Sequence, residues 1–215
     1  MWRMETSRTT DSDPDAALRD RLAEAMAGEA AFTGWSAVAF RAAAQQIGAG
    51  PDAERLFPGG PVDVLAYLSE RADQRTVAAL EAAGAEGLKI RERIKTAVRL
   101  RIEQTVGGKE SVRRGLALLA LPFNGPLALR LLYRTVDAIW YAAGDTSTDF
   151  NFYTKRATLA GVFSSTLLYW LNDRSEGNES TWSFLDRRID DVMRFEKWKA
   201  EVSSWTGSKR YSGRR

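Results

Sequence analysis

The side chains able to do chemistry in this 215-residue chain are few in kind. It contains no cysteine and no histidine, which removes thiol nucleophiles, disulfides, Cys/His zinc sites, His-based triads and any Glu-x-x-His metal motif. What remains is carboxylate-only metal binding, lysine chemistry, or acid–base work by Asp, Glu or Tyr. Asp190 with Asp191, and Asp145 with Asp149, do not stand at a spacing that singles out a catalytic pair. A solvated helix face and helix caps account for them. An enzyme is therefore the least favoured reading, and no catalytic residue, metal or cofactor is expected.

Binding is the alternative to chemistry, and the charge pattern bears on it. The net charge of +3 is unevenly spread: residues 15–83 are net −4, while residues 84–115 and 194–215 are each net +5. An apolar content of 44% over this length suffices for a real core. The first twenty residues hold no apolar run and include Glu5, Asp11 and Asp13, which argues against a signal or organellar transit peptide, so a cytosolic location is expected. The longest uncharged stretches fall short of the ~20 residues that a spanning helix needs.

The elements that must position any site are helical. Leu18, Leu22, Ala25 and Met26 recur at 3.6-residue spacing from Asp15 and predict a first helix ending near Gly28. Ser36 is placed to cap a second helix over residues 37–47, and Pro51 starts a short one over residues 52–57. After Pro58-Gly59-Gly60-Pro61, a longer helix is expected over residues 62–83. Residues 88–106 follow, with a basic face most simply read as solvated. Ser111 is expected to cap a helix to Leu121, Pro126 to open another to Ala143, and Ser147 or Thr148 to cap one running to Asn172; Thr181 begins the last long helix. No stretch alternates apolar and polar residues, so the chain is read as all-α with eight to ten helices. Four regions result: a tail over residues 1–14, a head with its connecting helix over 15–83, a helical body over 84–193 and an amphipathic terminus over 194–215.

The order helix, helix, short helix, long helix resembles the helix-turn-helix head of TetR-type regulators on a helical ligand-binding body. DNA binding needs cations on phosphates and donors at base edges, yet the expected recognition segment offers Arg55 against Asp52 and Glu54. No nucleic acid partner is expected, and a TetR-type ligand-responsive DNA-binding regulator is kept as the alternative. The body carries more apolar surface than one helix face needs. Gly161, Ser164 and Ser165 stand opposite large aromatics, which leaves room for an apolar ligand chamber beside the bland reading of a packed bundle. Its expected lining is Leu118, Leu121, Phe123, Leu129, Leu132, Tyr133, Val136, Trp140, Phe163 and Leu167.

On the helix ending at Asn172, Asp149, Phe152, Tyr153 and Arg156 share one side, while Phe150, Tyr153, Ala157, Ala160, Gly161, Ser164 and Leu167 trace the expected core side. An aromatic left at the surface between Asp and Arg, near Ile139, is what a protein-protein hot spot looks like; packing of Phe152 under the next loop is the other possibility. The run from Gly144 to Arg156 is the most restrictive string in the chain, supported by Thr181-Trp182-x-Phe184-Leu185-x-Arg187-Arg188 and by Leu119-x-x-Pro122-x-Asn124-x-Pro126. It resembles the ubiquinone-biosynthesis accessory proteins, a family of TetR-like fold. The resemblance implies a non-catalytic protein that binds prenylated quinones or other isoprenoid lipids, presents them to the di-iron hydroxylase of ubiquinone synthesis, and forms homodimers. By position it also implies a hydroxylase-binding patch at Ile139, Asp149, Phe152, Tyr153 and Arg156. Phe152 stands where mitochondrial relatives have Trp, and Lys155 where they have Arg. The lack of a transit peptide suggests a bacterial cytoplasmic form, peripheral on the inner face of the membrane.

Beyond a core stripe of Trp182, Leu185, Ile189, Val192 and Met193, the chain places Phe195, Trp198, Val202 and Trp205 among Lys197 and Lys199. Aromatics on one side of a basic helix fit an anionic membrane surface, and docking on the body is the competing reading.

Overall fold

The computed structural model describes residues 14–144 and 151–191. Several expectations lie outside these residues: the tail before Pro14, the caps at Ser147 and Thr148, the residues Asp145, Asp149 and Phe150, and the whole terminus with Phe195, Lys197, Trp198, Lys199, Val202 and Trp205. Every long element among the described residues is an α-helix: α1 Pro14–Thr33, α2 Ala37–Gln46, α3 Asp52–Leu56, α4 Pro61–Ala82, α5 Ile90–Glu103, α6 Gly108–Leu119, α7 Gly125–Ala142, α8 Asn151–Asn172 and α9 over residues 179–191. The all-α reading holds. No single helix here is long and apolar enough to cross a membrane. The chain divides into two compact units, one made of residues up to Ser69 with Thr105–Leu127, the other of Glu70–Gln104 with the residues from Ala128 onward.

In the first unit, α1, α2, α3 and the start of α4 close on Leu22, Met26, Phe40, Ala43, Leu56, Phe57 and Val64. Alanine at the crossings lets the helix axes come close, so few large side chains are needed. Helix α1 runs past Gly28, where the sequence placed its end, because Ala30 beyond it is buried. Its stop is Gly34, whose φ of +79° is left-handed and whose N–H donates to the Ala30 carbonyl at 3.1 Å. Ser36 caps α2 as expected, its hydroxyl accepting from the Ala39 N–H at 3.1 Å. Helix α6, which the sequence assigned to the body, packs on α1 in this unit. It also starts earlier than expected: Gly107 is its N-cap, and Ser111 lies buried inside the first turns. A side chain at Gly107 would place Cβ 2.5 Å from the Ala27 carbonyl oxygen, so glycine there sets the approach of α6 to α1. The Trp35 indole N–H donates to the Ser111 carbonyl at 3.0 Å and ties the corner before α2 to the same helix.

The second unit is built around a buried charge. Arg101 on α5 is almost fully enclosed, and its Nε donates to Asp73 on α4 at 2.6 Å. Thr135 on α7 donates to the same carboxylate at 2.8 Å, and the guanidinium sits 5.9 Å from the ring centre of Phe163 on α8. Four helices therefore converge on one ion pair. Ile94, Ala97, Val98, Ile102, Val136, Leu159, Leu185 and Ile189 are buried in the same unit.

Helix α5 corrects the reading of its basic face as solvated. Besides the inward Arg101, Arg91 pairs with Asp190, Lys95 meets Asp186 at 2.8 Å, and the Arg99 guanidinium lies 4.8 Å above the Trp182 ring. These contacts step by four residues up α5 and down α9, an antiparallel ladder in which Asp190 is a partner and not part of a free acidic face. Helix α8 is rotated from expectation. Its inner side is Arg156, Leu159, Val162, Phe163, Thr166 and Trp170, whereas Tyr153, Ala157 and Gly161 face outward. Apolar spacing misled because the inner face carries an arginine and a threonine.

The entry to α9 rests on Asp173. Its carboxylate accepts from the N–H and hydroxyl of Ser175 at 2.8 and 2.7 Å and of Thr181 at 2.8 and 2.5 Å. The hydrogen bond from Thr181 leads, with those from Ser175 behind it, in holding the carboxyl well below its ordinary value of 3.8. A depressed acid contributes stability that is complete above the ordinary value and is lost as pH falls below it. The midpoint difference between wild type and Asp173→Asn in urea denaturation should be clear at neutral pH and shrink steadily as the buffer is taken below pH 3.8. Asp73→Ala should cost about 3–5 kcal/mol, since it strands the Arg101 charge, and adding Arg101→Met should recover part of that loss.

Candidate partner and ligand surface of the second unit

The start of α8 is fixed from below. Arg156, 8% exposed, donates from Nη2 and Nε to Asp137 Oδ1 at 2.6 and 2.8 Å, which pins α8 to α7. Lys155 adds an ammonium 5.5 Å over the Trp140 ring. With Arg156 turned in, Tyr153 three residues earlier stands 71% exposed. Of the patch read from the sequence, Tyr153 is thus presented, Arg156 is spent on positioning, and Ile139 is buried in α7. Asp149 and the side chain of Phe152 lie outside the described residues.

A groove lies where α4 meets α7. Gln74, Val77, Ala78 and Glu81 supply one wall, and Arg134, Asp137, Ala138 and Tyr141 the other, enclosing about 480 Å³ that is open to solvent. Both sets follow the i, i+3, i+4, i+7 rule of a single helix face. Val77, Ala78 and Ala138 are small and leave the floor free, while Arg134 is braced by Glu70 at 2.6 Å. Sequence reasoning missed this groove. Its signal was paired small residues between charged ones at matching helical offsets, an absence of bulk that a search for apolar excess passes over. Asp137 belongs both to the groove wall and to the Arg156 pair.

None of the ten expected chamber residues lines this groove. Val136 and Phe163 are buried in the unit's core. Leu132, Trp140 and Leu167 are half-buried there, and Leu129 and Tyr133 are exposed on α7. In the first unit Leu118 is half-buried, and Leu121 and Phe123 are exposed at the turn after α6. Among the described residues no three acidic side chains gather in a way that could hold a metal ion.

Comparison with known proteins places these helices in a family. The COQ9 family model matches residues 125–196, the stretch that holds α7, α8 and α9. The rat mitochondrial ubiquinone biosynthesis protein COQ9 is 35% identical over 178 residues, covering 80% of this chain and 57% of the rat protein. The human protein of the same name is 32% identical over 201 residues, covering 90% of this chain and 63% of its own length. The COQ9-B protein of Xenopus laevis is 30% identical over 201 residues and is covered to 69%. The chain belongs to the COQ9 family. It spans about three-fifths of the rat and human COQ9 proteins.

The fold has a second relative. The crystal structure of a TetR transcriptional regulator from Nitrosomonas europaea superposes with a TM-score of 0.68 over 81% of this chain and 97% of its own, at 23% identity. That likeness concerns fold alone, and it agrees with the TetR-like arrangement read from the helix order. In this chain the one arginine of α3, Arg55, is held by Asp15 at 2.6 and 2.7 Å and by Asp52 at 3.2 Å. Its donors are thus committed inside the head, and Asp52 and Glu54 surround it with negative charge.

Positioning and presenting roles separate in a simple way. Arg156→Ala should lower stability by about 1–2 kcal/mol through the lost Asp137 pair, whereas Tyr153→Ala should stay within about 0.5 kcal/mol of wild type. Denaturant titration of the two variants side by side checks both.

Proposed function

We propose that this COQ9-family protein is an accessory factor of ubiquinone biosynthesis with no catalysis of its own. It takes up prenylated quinone intermediates at a membrane surface and presents them to the di-iron hydroxylase of that route, working as a homodimer. The observation that carries the reading is an exposed Tyr153 on a helix pinned by Arg156, inside the span matched by the COQ9 family model. A rigid aromatic on a fixed helix loses little entropy on docking, which is what an anchor at a protein interface requires.

The physical task behind the proposal is transfer. A prenyl tail left in water costs ~0.8 kcal/mol per CH₂, so a lipid held in a bilayer reaches a soluble-side active site only through a carrier that shields its tail. A chain without histidine supplies no Glu-x-x-His ligands, so the iron belongs to the partner. The apolar helices α7 and α8 offer Leu132, Trp140 and Leu167 for the tail, and the terminus with Phe195, Trp198 and Trp205 supports contact with the membrane.

Two measurements test this. Mass spectrometry of organic extracts from the purified protein should find a prenylated quinone or precursor that a control protein of equal size does not carry. Tyr153→Asp should abolish hydroxylase capture with the thermal midpoint unchanged, and undiminished capture would remove Tyr153 from the interface. A DNA-binding regulator would instead show duplex binding that weakens steeply with salt.

A further inference from the structure

We propose that the turn between α4 and α5, residues 84–90, is a second contact for an anionic lipid surface, distinct from the aromatic terminus; the idea rests on the peripheral-membrane reading above. Ala85–Gly87 forms a short 3-10 turn, and Leu88 and Lys89 then run extended into α5. Leu88 is 46% and Ile90 51% exposed, with the exposed Lys89 between them. Among the described residues Lys89 has no ion-pair partner. Small residues precede them, Ala82, Ala83, Gly84 and Gly87.

The surroundings argue for lipid over a protein groove. Aliphatic side chains alternating with cations match an interface at which methyl groups enter the acyl boundary and ammonium groups stay among phosphates. Two arginines tie other elements to this end of the unit. Arg93 donates to the Leu88 carbonyl at 3.0 Å and to the Ala143 carbonyl at 3.2 Å, bringing the end of α7 with its exposed Tyr141 beside the turn. Arg91 pairs with Asp190, so the last described turn of α9 arrives at this end too. From there the sequence continues into the segment with Phe195, Trp198, Trp205 and a net charge of +5. One interfacial element alone gives marginal, reversible attachment, whereas two on one body raise each other's effective concentration.

The absence of cysteine makes the test direct. Leu88→Cys can be labelled at a single site with an environment-sensitive fluorophore, and Leu168→Cys on exposed α8 serves as the control. The labelled proteins are mixed with vesicles of phosphatidylcholine alone and of phosphatidylcholine with phosphatidylglycerol, while binding is followed by flotation. A blue shift at position 88 and not at 168, seen only with phosphatidylglycerol, is the expected result. The double variant Leu88→Ser with Ile90→Ser should bind the anionic vesicles about ten-fold more weakly at an unchanged thermal midpoint. Vesicle binding with a silent label at 88 would overturn the second contact and leave the membrane reading standing. An equal shift on neutral vesicles would overturn the anionic preference, and no binding at all would overturn both readings.

Discussion

The buried guanidinium of Arg101 is the constraint around which the second unit is organised. A permanent cation removed from water must find anionic and dipolar partners, and those partners can come only from other helices. Asp73 from α4 and Thr135 from α7 answer the charge, and the face of Phe163 from α8 covers it. An apolar side chain in the same place would tolerate many rotations of the surrounding helices. A planar fork with directed N–H groups tolerates few, so the polar centre fixes which face of each helix looks inward. The phase of α8, with Arg156 and Thr166 inward and Tyr153 outward, belongs to the same logic.

Around that centre the exposed charges act in series. Each rung of the α5–α9 ladder is a partly solvated contact of the sort worth about 0.2–1 kcal/mol. Three rungs in one register act together in favouring the pairing of the two helices. Asp173 sets the starting point of α9 from the other side, by gathering four donors from Ser175 and Thr181. The last helix is thus held by electrostatics at its entry and along its length, with Leu185 and Ile189 buried beneath.

Much of the fold was legible in the sequence, and the failures have physical causes. Helix order, the Ser36 cap and the TetR-like layout follow from local signals: glycine stops, a serine before an apolar run, proline breaks. The resemblance carried by the Gly144 to Arg156 string led to the right family. What could not be read was polar burial. A rule that places charge outside assigns α5's basic face to solvent and rotates α8, since Arg101 and Arg156 meet their carboxylate partners, Asp73 and Asp137, 28 and 19 positions away. The candidate groove was hidden for a related reason: Val77, Ala78 and Ala138 make a site by being small, and a reading that collects large apolar side chains assembled Leu118 to Leu167 instead.

The double duty of Asp137 has a thermodynamic corollary. One of its oxygens holds Arg156, and its side chain walls the groove beside Ala138 and Tyr141. Anything that fills the groove meets a carboxylate that also holds the start of α8 through Arg156. If occupation of the groove and a second binding event at the start of α8 both shift the Asp137–Arg156 geometry, linkage requires that the factor by which the first changes the affinity for the second be returned unchanged in the other direction. Two such events would then be coupled across a single side chain.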